Sequence, residues 1–361
     1  DTEPPPRIPR SDERHVGAAA PTAAMEADAS VHAPSTLLIH SCTYDFFGRR
    51  VATCSSDGML RVFNEAGQKT AEWRAHSGSI WRIVWAHPEF GQVLASCSFD
   101  RKVCIWEEMA DTEDPMPQPR QGGWRIAAEL QHSRDSVLDV KFAPRGLGLW
   151  LASCGADKMV RLHEAPDVMD LSTWQMTYEF EAEGAHTGDR PCTPQCLAWN
   201  PSAHEGMSLV IGMADGSTHL WSLNEHLGGW TRVLALTSHG GPSHAALPHP
   251  DCIRDVCWAP DMGRSHHVIA IASRDRRVMI WEILRTQNDD GASLDGIADI
   301  KDARVQWSGE CTCDLLHDSQ VWRVEWNSCG SMLAAAVDDG HVHIYVRDGQ
   351  GGWSSEQQAM V

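Results

Sequence analysis

The stretch His87–Trp106, HPEFGQVLASCSFDRKVCIW, sets a histidine, two cysteines, an aspartate and a tryptophan in one short run. Taken alone, Asp100 and its neighbours have the residue types of a reactive site. The rest of the chain repeats the pattern. Asp57, Asp100, Asp157, Asp215, Asp275 and Asp339 align, and six residues after each stands a ring: Phe63, Trp106, His163, Trp221, Trp281 and Tyr345. Six residues before each stands an aliphatic: Val51, Leu94, Leu151, Leu209, Ile269 and Leu333. Earlier in each unit an aromatic closes a short alternating run: Phe46, Trp85, Phe142, Trp199, Trp258 and Trp326. An enzyme needs one site, so six equivalent aspartates point to a scaffold.

Successive aspartates lie 43, 57, 58, 60 and 64 residues apart, at or above the ~40–45 residues of a four-stranded propeller blade. The excess falls in polar, Pro/Gly-rich stretches such as EEMADTEDPMPQPRQGG, TSHGGPSHAALPHP and RTQNDDGASLDGIADIKDA, which read as loops on a β scaffold. The units have the period of two of short strands, and DG, DR or DK at each aspartate suits a hairpin turn. The fold expected is all-β: a six-bladed β-propeller over residues 37–361, preceded by a disordered Ala/Pro-rich tail over 1–36.

A histidine precedes most units: His76, His132, His186, His249 and His317, with the turn aspartate 24, 25, 29, 26 and 22 residues on. Such a histidine can hydrogen-bond the turn carboxylate, which would be costly to bury unpaired. These residues, with Trp106, Trp221 and Trp281, form the expected structural blade network. Cys54, Cys97 and Cys154 each stand three residues before their aspartate, a repeated strand position that suits a small buried hydrophobe. Cys311 and Cys313, two apart on a strand, are expected on one face. His239, His244 and His249 share a Gly/Pro-rich loop without acid or thiol ligands, so no metal or cofactor is expected. Trp81-Arg82 and Trp322-Arg323 repeat a pair enriched in binding hot spots, and equally suited to lining a channel.

The net charge of −19, with no run of Lys/Arg, disfavours direct nucleic-acid binding. The 12 cysteines lack any C-x-x-C pair and read as reduced thiols. No apolar run reaches the ~18–20 residues of a membrane span, and the charged, proline-containing start lacks a signal peptide's apolar core.

Six units are present, with no convincing strand before the first, and GGWSSEQQAMV at the end supplies at most the outer strand of the sixth. Either six blades close on themselves or two sheet edges stay exposed, and exposed edges recruit strands. Candidate partner-binding residues are Leu37, Leu38, Ile39 and Tyr44 at one edge, Val342, Ile344 and Tyr345 near the other, and Trp81 and Trp322 on one end.

LIHSCTYDFFGRRVATCSSD, HSGSIWRIVWAHPEFGQVLASCSFDR, VKFAPRGLGLWLASCGAD, EAPDVMDLSTW, GRSHHVIAIASRD and SQVWRVEWNSCGSMLAAAVDDG resemble the Seh-type WD-repeat nucleoporins, relatives of the Sec-thirteen-type coat propellers; EAPDVMDLSTW is the more specific pointer. The resemblance spans nearly all of the chain after residue 36. It implies an open six-bladed propeller, non-enzymatic, completed in trans by a blade from an α-solenoid nucleoporin. It further implies a place among the outer-ring scaffold nucleoporins of the nuclear pore, at the nuclear envelope. A second role is implied in a GATOR-type nutrient-signalling complex in the cytoplasm and at lysosomal or vacuolar membranes. The chain departs from the family pattern in lacking the Trp-Asp dipeptide and in carrying His163 for the usual aromatic. Rival readings are a COPII-like vesicle-coat propeller and a closed propeller reading a peptide, as a ubiquitin-ligase receptor does. An enzyme fits least, because the titratable residues are repeated.

Overall fold

The computed structural model describes residues 38–109, 123–183, 192–224, 228–236, 249–287, 305–348 and 352–360. They form six four-stranded antiparallel sheets, each built from four consecutive strands in sequence order. These are the six blades. Their inner strands are Ile39–Tyr44, Ile80–Trp85, Val137–Phe142, Pro194–Trp199, Ile253–Trp258 and Val321–Trp326, each packed on the next around a channel. The C-terminus supplies the outer strand of blade 6, Trp353–Met360.

A blade between two others is covered on both faces. Its second strand is then buried without alternation, as in Val93–Ser98, Trp150–Gly155 and Ser208–Met213. Five buried apolar clusters occupy five seams. Leu60, Val62 and Trp73 meet Ile80, Leu94 and Trp106 between blades 1 and 2. Ala95, Cys97 and Ile105 meet Val137, Leu149 and Leu151 between blades 2 and 3. Further clusters join blades 3 and 4, 4 and 5, and 5 and 6. Among the described residues no such cluster lies between blades 6 and 1. Those blades meet beside the channel, where Arg323 Nη2 donates to His40 O at 3.3 Å.

The structure changes three local readings. The aromatic closing the inner strand of blade 1 is Tyr44; Phe46 lies in the following turn and is exposed. Arg285–Gln287, read as loop, extend the third strand of blade 5, Arg277–Gln287, along its outer strand Val305–Leu316. A bulge in that outer strand also separates Cys311 from Cys313. Cys313 pairs with Ile280 and packs toward blade 6, while Cys311 pairs with Trp281 and packs toward blade 4. In EAPDVMDLSTW, Ala165 and Leu171 are buried in the seam of blades 2 and 3. The tail 1–36, Leu37 and residues 288–304 lie outside the described residues.

Ile105 in blade 2 and Ile344 in blade 6 share one register position, five residues after their aspartates. Ile105 is fully buried and Ile344 only partly so. Ile105→Ala should cost about 2–5 kcal/mol in denaturant unfolding of the isolated protein, and Ile344→Ala less than half as much.

Candidate interaction site

Four of the six turn aspartates are held in one of two ways, by a histidine or by an arginine. In blade 2, His76 Nδ1 donates to Asp100 at 3.0 Å, while Nε2 lies 2.8 Å from Ser96 Oγ, which takes the Trp106 Nε1 proton at 3.0 Å. Burial opposes ionisation of Asp100, but His76 and the Ser77 and Lys102 amides hold its pKa down at about 2. Asp–His–Ser is also the order of a hydrolytic triad. Here Ser96 is fully buried and its oxygen is already engaged by Trp106, so no substrate reaches it. In blade 5, His249 Nδ1 lies 2.8 Å from Asp275.

In blades 1 and 3 the partner is an arginine four residues after the aspartate. Arg61 Nη2 reaches Asp57 at 2.8 Å, and Arg161 Nη2 reaches Asp157 at 2.7 Å. Burial opposes ionisation of both carboxyls, and these bonds prevail, leaving both below the usual carboxylate range. His132 turns instead to His163, Nδ1 to Nε2, 3.1 Å. Asp215, buried, accepts from Ser217 N at 2.9 Å and Ser217 Oγ at 2.6 Å. Asp339 accepts from His341 N at 2.9 Å, while His317 lies against Tyr345 OH at 3.4 Å. His186, His239 and His244 lie outside the described residues. The arginine partners were legible as SDGMLR and ADKMVR, where the basic residue stands at one offset from the aspartate.

Blade 5 explains its own orphans. His249 Nε2 and Trp281 Nε1 are buried and unpartnered among the described residues. The residue in Ser96's register position is Ile271, four before the aspartate, so the bridging hydroxyl is missing. Cys54, Cys97 and Cys154 are buried, which pushes all three thiols up, Cys54 to about 12.

The channel is tied across by charge. Every inner strand carries a bulge at His40, Trp81, Leu138, Gln195, Arg254 or Trp322. The next residues are Ser41, Arg82, Asp139, Cys196, Asp255 and Arg323. Arg82, from blade 2, places Nε 2.8 Å from Asp139 of blade 3 and Nη2 2.6 Å from Asp255 of blade 5. Asp139 also accepts from Leu197 N at 2.9 Å, and Asp255 from Val324 N at 3.2 Å. Burial works against the Arg82 charge, but the two aspartates more than offset it and raise its pKa. Burial also works against the Asp255 charge, and Arg82 and Arg323 keep its carboxyl below the usual range. Breaking such a network from one side leaves an uncompensated buried charge, a loss of about 3–5 kcal/mol.

At the seam of blades 6 and 1, two apolar sheet faces stand uncovered among the described residues. On blade 6 these are Met332, Ala334, Ala336, Val342 and Ile344, in the positions of Val93, Ala95, Cys97, Val103 and Ile105 on blade 2. On blade 1 they are Ile39, Cys42 and Tyr44. Tyr44 stands where Trp85, Trp199 and Trp326 reach back to carbonyls of the preceding blade, at Thr43, Lys141 and Cys257. With no described residue behind it, Tyr44 is 65% exposed. Leu38 and Ile39 are exposed at the other end of that strand, and Phe46 and Phe47, which sequence reasoning passed over as partner candidates, are exposed in the turn after Tyr44. Tyr345 is corrected: it is buried in the cluster between blades 5 and 6 and faces away from this seam. Trp81 is half-buried against His40, and Trp322 stands half-exposed at the channel mouth, stacked by Arg254.

These features define a WD-repeat propeller. The model of the WD domain, G-beta repeat, matches residues 29–64, 67–107, 124–164, 241–282 and 309–345. It does not match blade 4, whose four strands the structure shows in full. Nucleoporin SEH1-B of Xenopus laevis is 38% identical over 337 residues, covering 90% of this chain and 86% of its own length. Nucleoporin SEH1 of Danio rerio is 39% identical over 336 residues, with 90% and 85% covered, and that of Homo sapiens 38% over 339, with 90% and 86% covered. The chain belongs to the SEH1 nucleoporin family.

Two outcomes are expected. Ile271→Thr places a hydroxyl between His249 Nε2 and Trp281 Nε1, whereas Ile280→Thr buries one with no such partners. Ile271→Thr should therefore be the milder change by about 1–3 kcal/mol in denaturant unfolding. Burial, then His132, holds His163 at about 3; burial, then Arg232, holds His219 at about 4; burial, then His343, holds His317 at about 4. These imidazoles stay neutral in the fold while the unfolded chain takes up protons below its ordinary value near 6.5. Stability is thus fully present above about pH 6.5 and falls as pH drops toward 4. Melting temperature should follow that profile, and His163→Phe should flatten it.

Proposed function

We propose that this protein is a non-enzymatic scaffold subunit of the outer-ring coat of the nuclear pore, at the nuclear envelope. Its six blades leave the ring open between blades 6 and 1, and an α-solenoid nucleoporin packs a further blade there. Through that pairing it supports the outer ring through which protein and mRNA pass. One observation carries the reading: among the described residues six blades have five buried seams, and the two faces without one keep apolar residues, as at Ala336 and Ile344, at positions buried in the other blades. A donated sheet would bury those faces as the other seams bury theirs, and would place a blade behind Tyr44. Membership of the SEH1 family supports the same assignment, since its curated members carry the name nucleoporin.

The test is co-purification from source cells of the protein carrying Ala336→Asp and Ile344→Asp. An unpaired charge in a buried seam should lower recovery of the solenoid partner by about tenfold or more, while circular dichroism of the variant alone stays native. Undiminished recovery of the partner would sink the donated-blade reading.

A further inference from the structure

The bulged inner-strand residues gather at the channel end where the aspartate hairpins turn. At the seam of blades 5 and 6 this brings Arg254 over Trp322, its guanidinium carbon 4.5 Å from the ring centroid. Trp322 is fixed from its edge by Nε1, which donates to Asp338 Oδ1 at 2.8 Å. Arg274 and Arg276, from the hairpin between the second and third strands of blade 5, and Gln320 complete the lining of an open pocket of about 440 Å³.

Three guanidiniums therefore line one pocket with a single carboxylate, Asp338, in a chain of net charge −19. Asp251 stands 4.0 Å from Arg274 Nε, too far for a hydrogen bond. Arg254 Nε is buried and without a hydrogen-bond partner among the described residues. Arg276 is held at φ 72°, as are Arg101 and Lys158 at φ 71° and 70° in the equivalent turns of blades 2 and 3, where blades 1, 4 and 6 place Gly58, Gly216 and Gly340. A side chain is disfavoured in that left-handed conformation. Of the three turns that carry a cation there, blade 5 is the one whose cation lines this pocket.

We propose that this pocket binds a phosphate monoester carried on a phosphoserine or phosphothreonine of a partner polypeptide. Arginine forks match phosphate oxygens in pairs. Three cations less Asp338 and the Asp251 carboxylate paired with Arg274 leave a net positive charge for an anion to meet. A nucleic acid fits poorly, because Arg254 already covers one face of Trp322, the ring on which a base would stack. The pocket lies on a different seam from the gap between blades 6 and 1, so this proposal stands or falls independently of the donated-blade reading.

The test uses the full chain and two immobilised degenerate peptide pools, one with a central phosphothreonine and one with threonine. Retention is expected on the phosphorylated pool alone. The Arg274→Gln, Arg276→Gly double variant should lose it by about tenfold or more, with an unchanged dichroism spectrum, since glycine suits the turn. Arg254→Gln should weaken it separately. Equal retention on both pools, no retention on the phosphorylated pool, or retention unaffected in the double variant overturns the proposal. So does displacement by inorganic phosphate at the peptide's own concentration, which would make the free anion the ligand. Retention of single-stranded RNA in place of the phosphorylated pool overturns it as well.

Discussion

Each blade of this propeller is a sheet with apolar residues on both faces, and both faces have to be covered. Nearly every other feature follows from that requirement. It makes Val93–Ser98 an unbroken buried run where a half-covered strand would alternate. It makes one blade's stability depend on its neighbours, as in other repeat architectures. It also locates the exception: among the described residues the facing sides of blades 6 and 1 are the least covered, at Met332, Ile344 and Tyr44.

Apolar packing between neighbours does not set the relation between blades on opposite sides of the channel. Arg82 does, bridging blade 2 to blades 3 and 5 through Asp139 and Asp255. Such a tie holds the channel end at the seam of blades 6 and 1 too, where no buried apolar cluster lies among the described residues. The polar networks at the turns act more locally. Where a serine and a histidine are both present, as in blade 2, Asp, His, Ser and Trp form one chain of hydrogen bonds. Where the histidine turns elsewhere, as His132 does toward His163, an arginine on the third strand takes the carboxylate. The carboxylate is satisfied in each case, because an unpaired buried charge is the one thing the seam cannot tolerate.

The repeat was legible in the sequence because the period of two in each strand, the turn at each aspartate and the ring six residues later are local signals. All six blades could be placed that way, including blade 4. The partners of the turn aspartates were less legible. His76 and Asp100 meet, yet His317 and Asp339 do not, although their spacing in the chain is similar. Sequence distance does not report which of two nearby side chains wins a contact when the loop between them can turn. Cys311 and Cys313 show the same limit, since one inserted residue in a strand reverses which face the later side chains occupy.

By itself, then, the sequence determined the number of blades and their strand pattern. These depend on interactions within about one unit, and the chain states them six times over. Only the tertiary structure decided which charges meet across the channel, that Tyr345 faces blade 5 while Tyr44 faces outward, and that Arg254, Arg274 and Arg276 converge on one pocket. Those outcomes join residues from different blades. They depend on how far each blade is rotated about the channel, which no single repeat encodes.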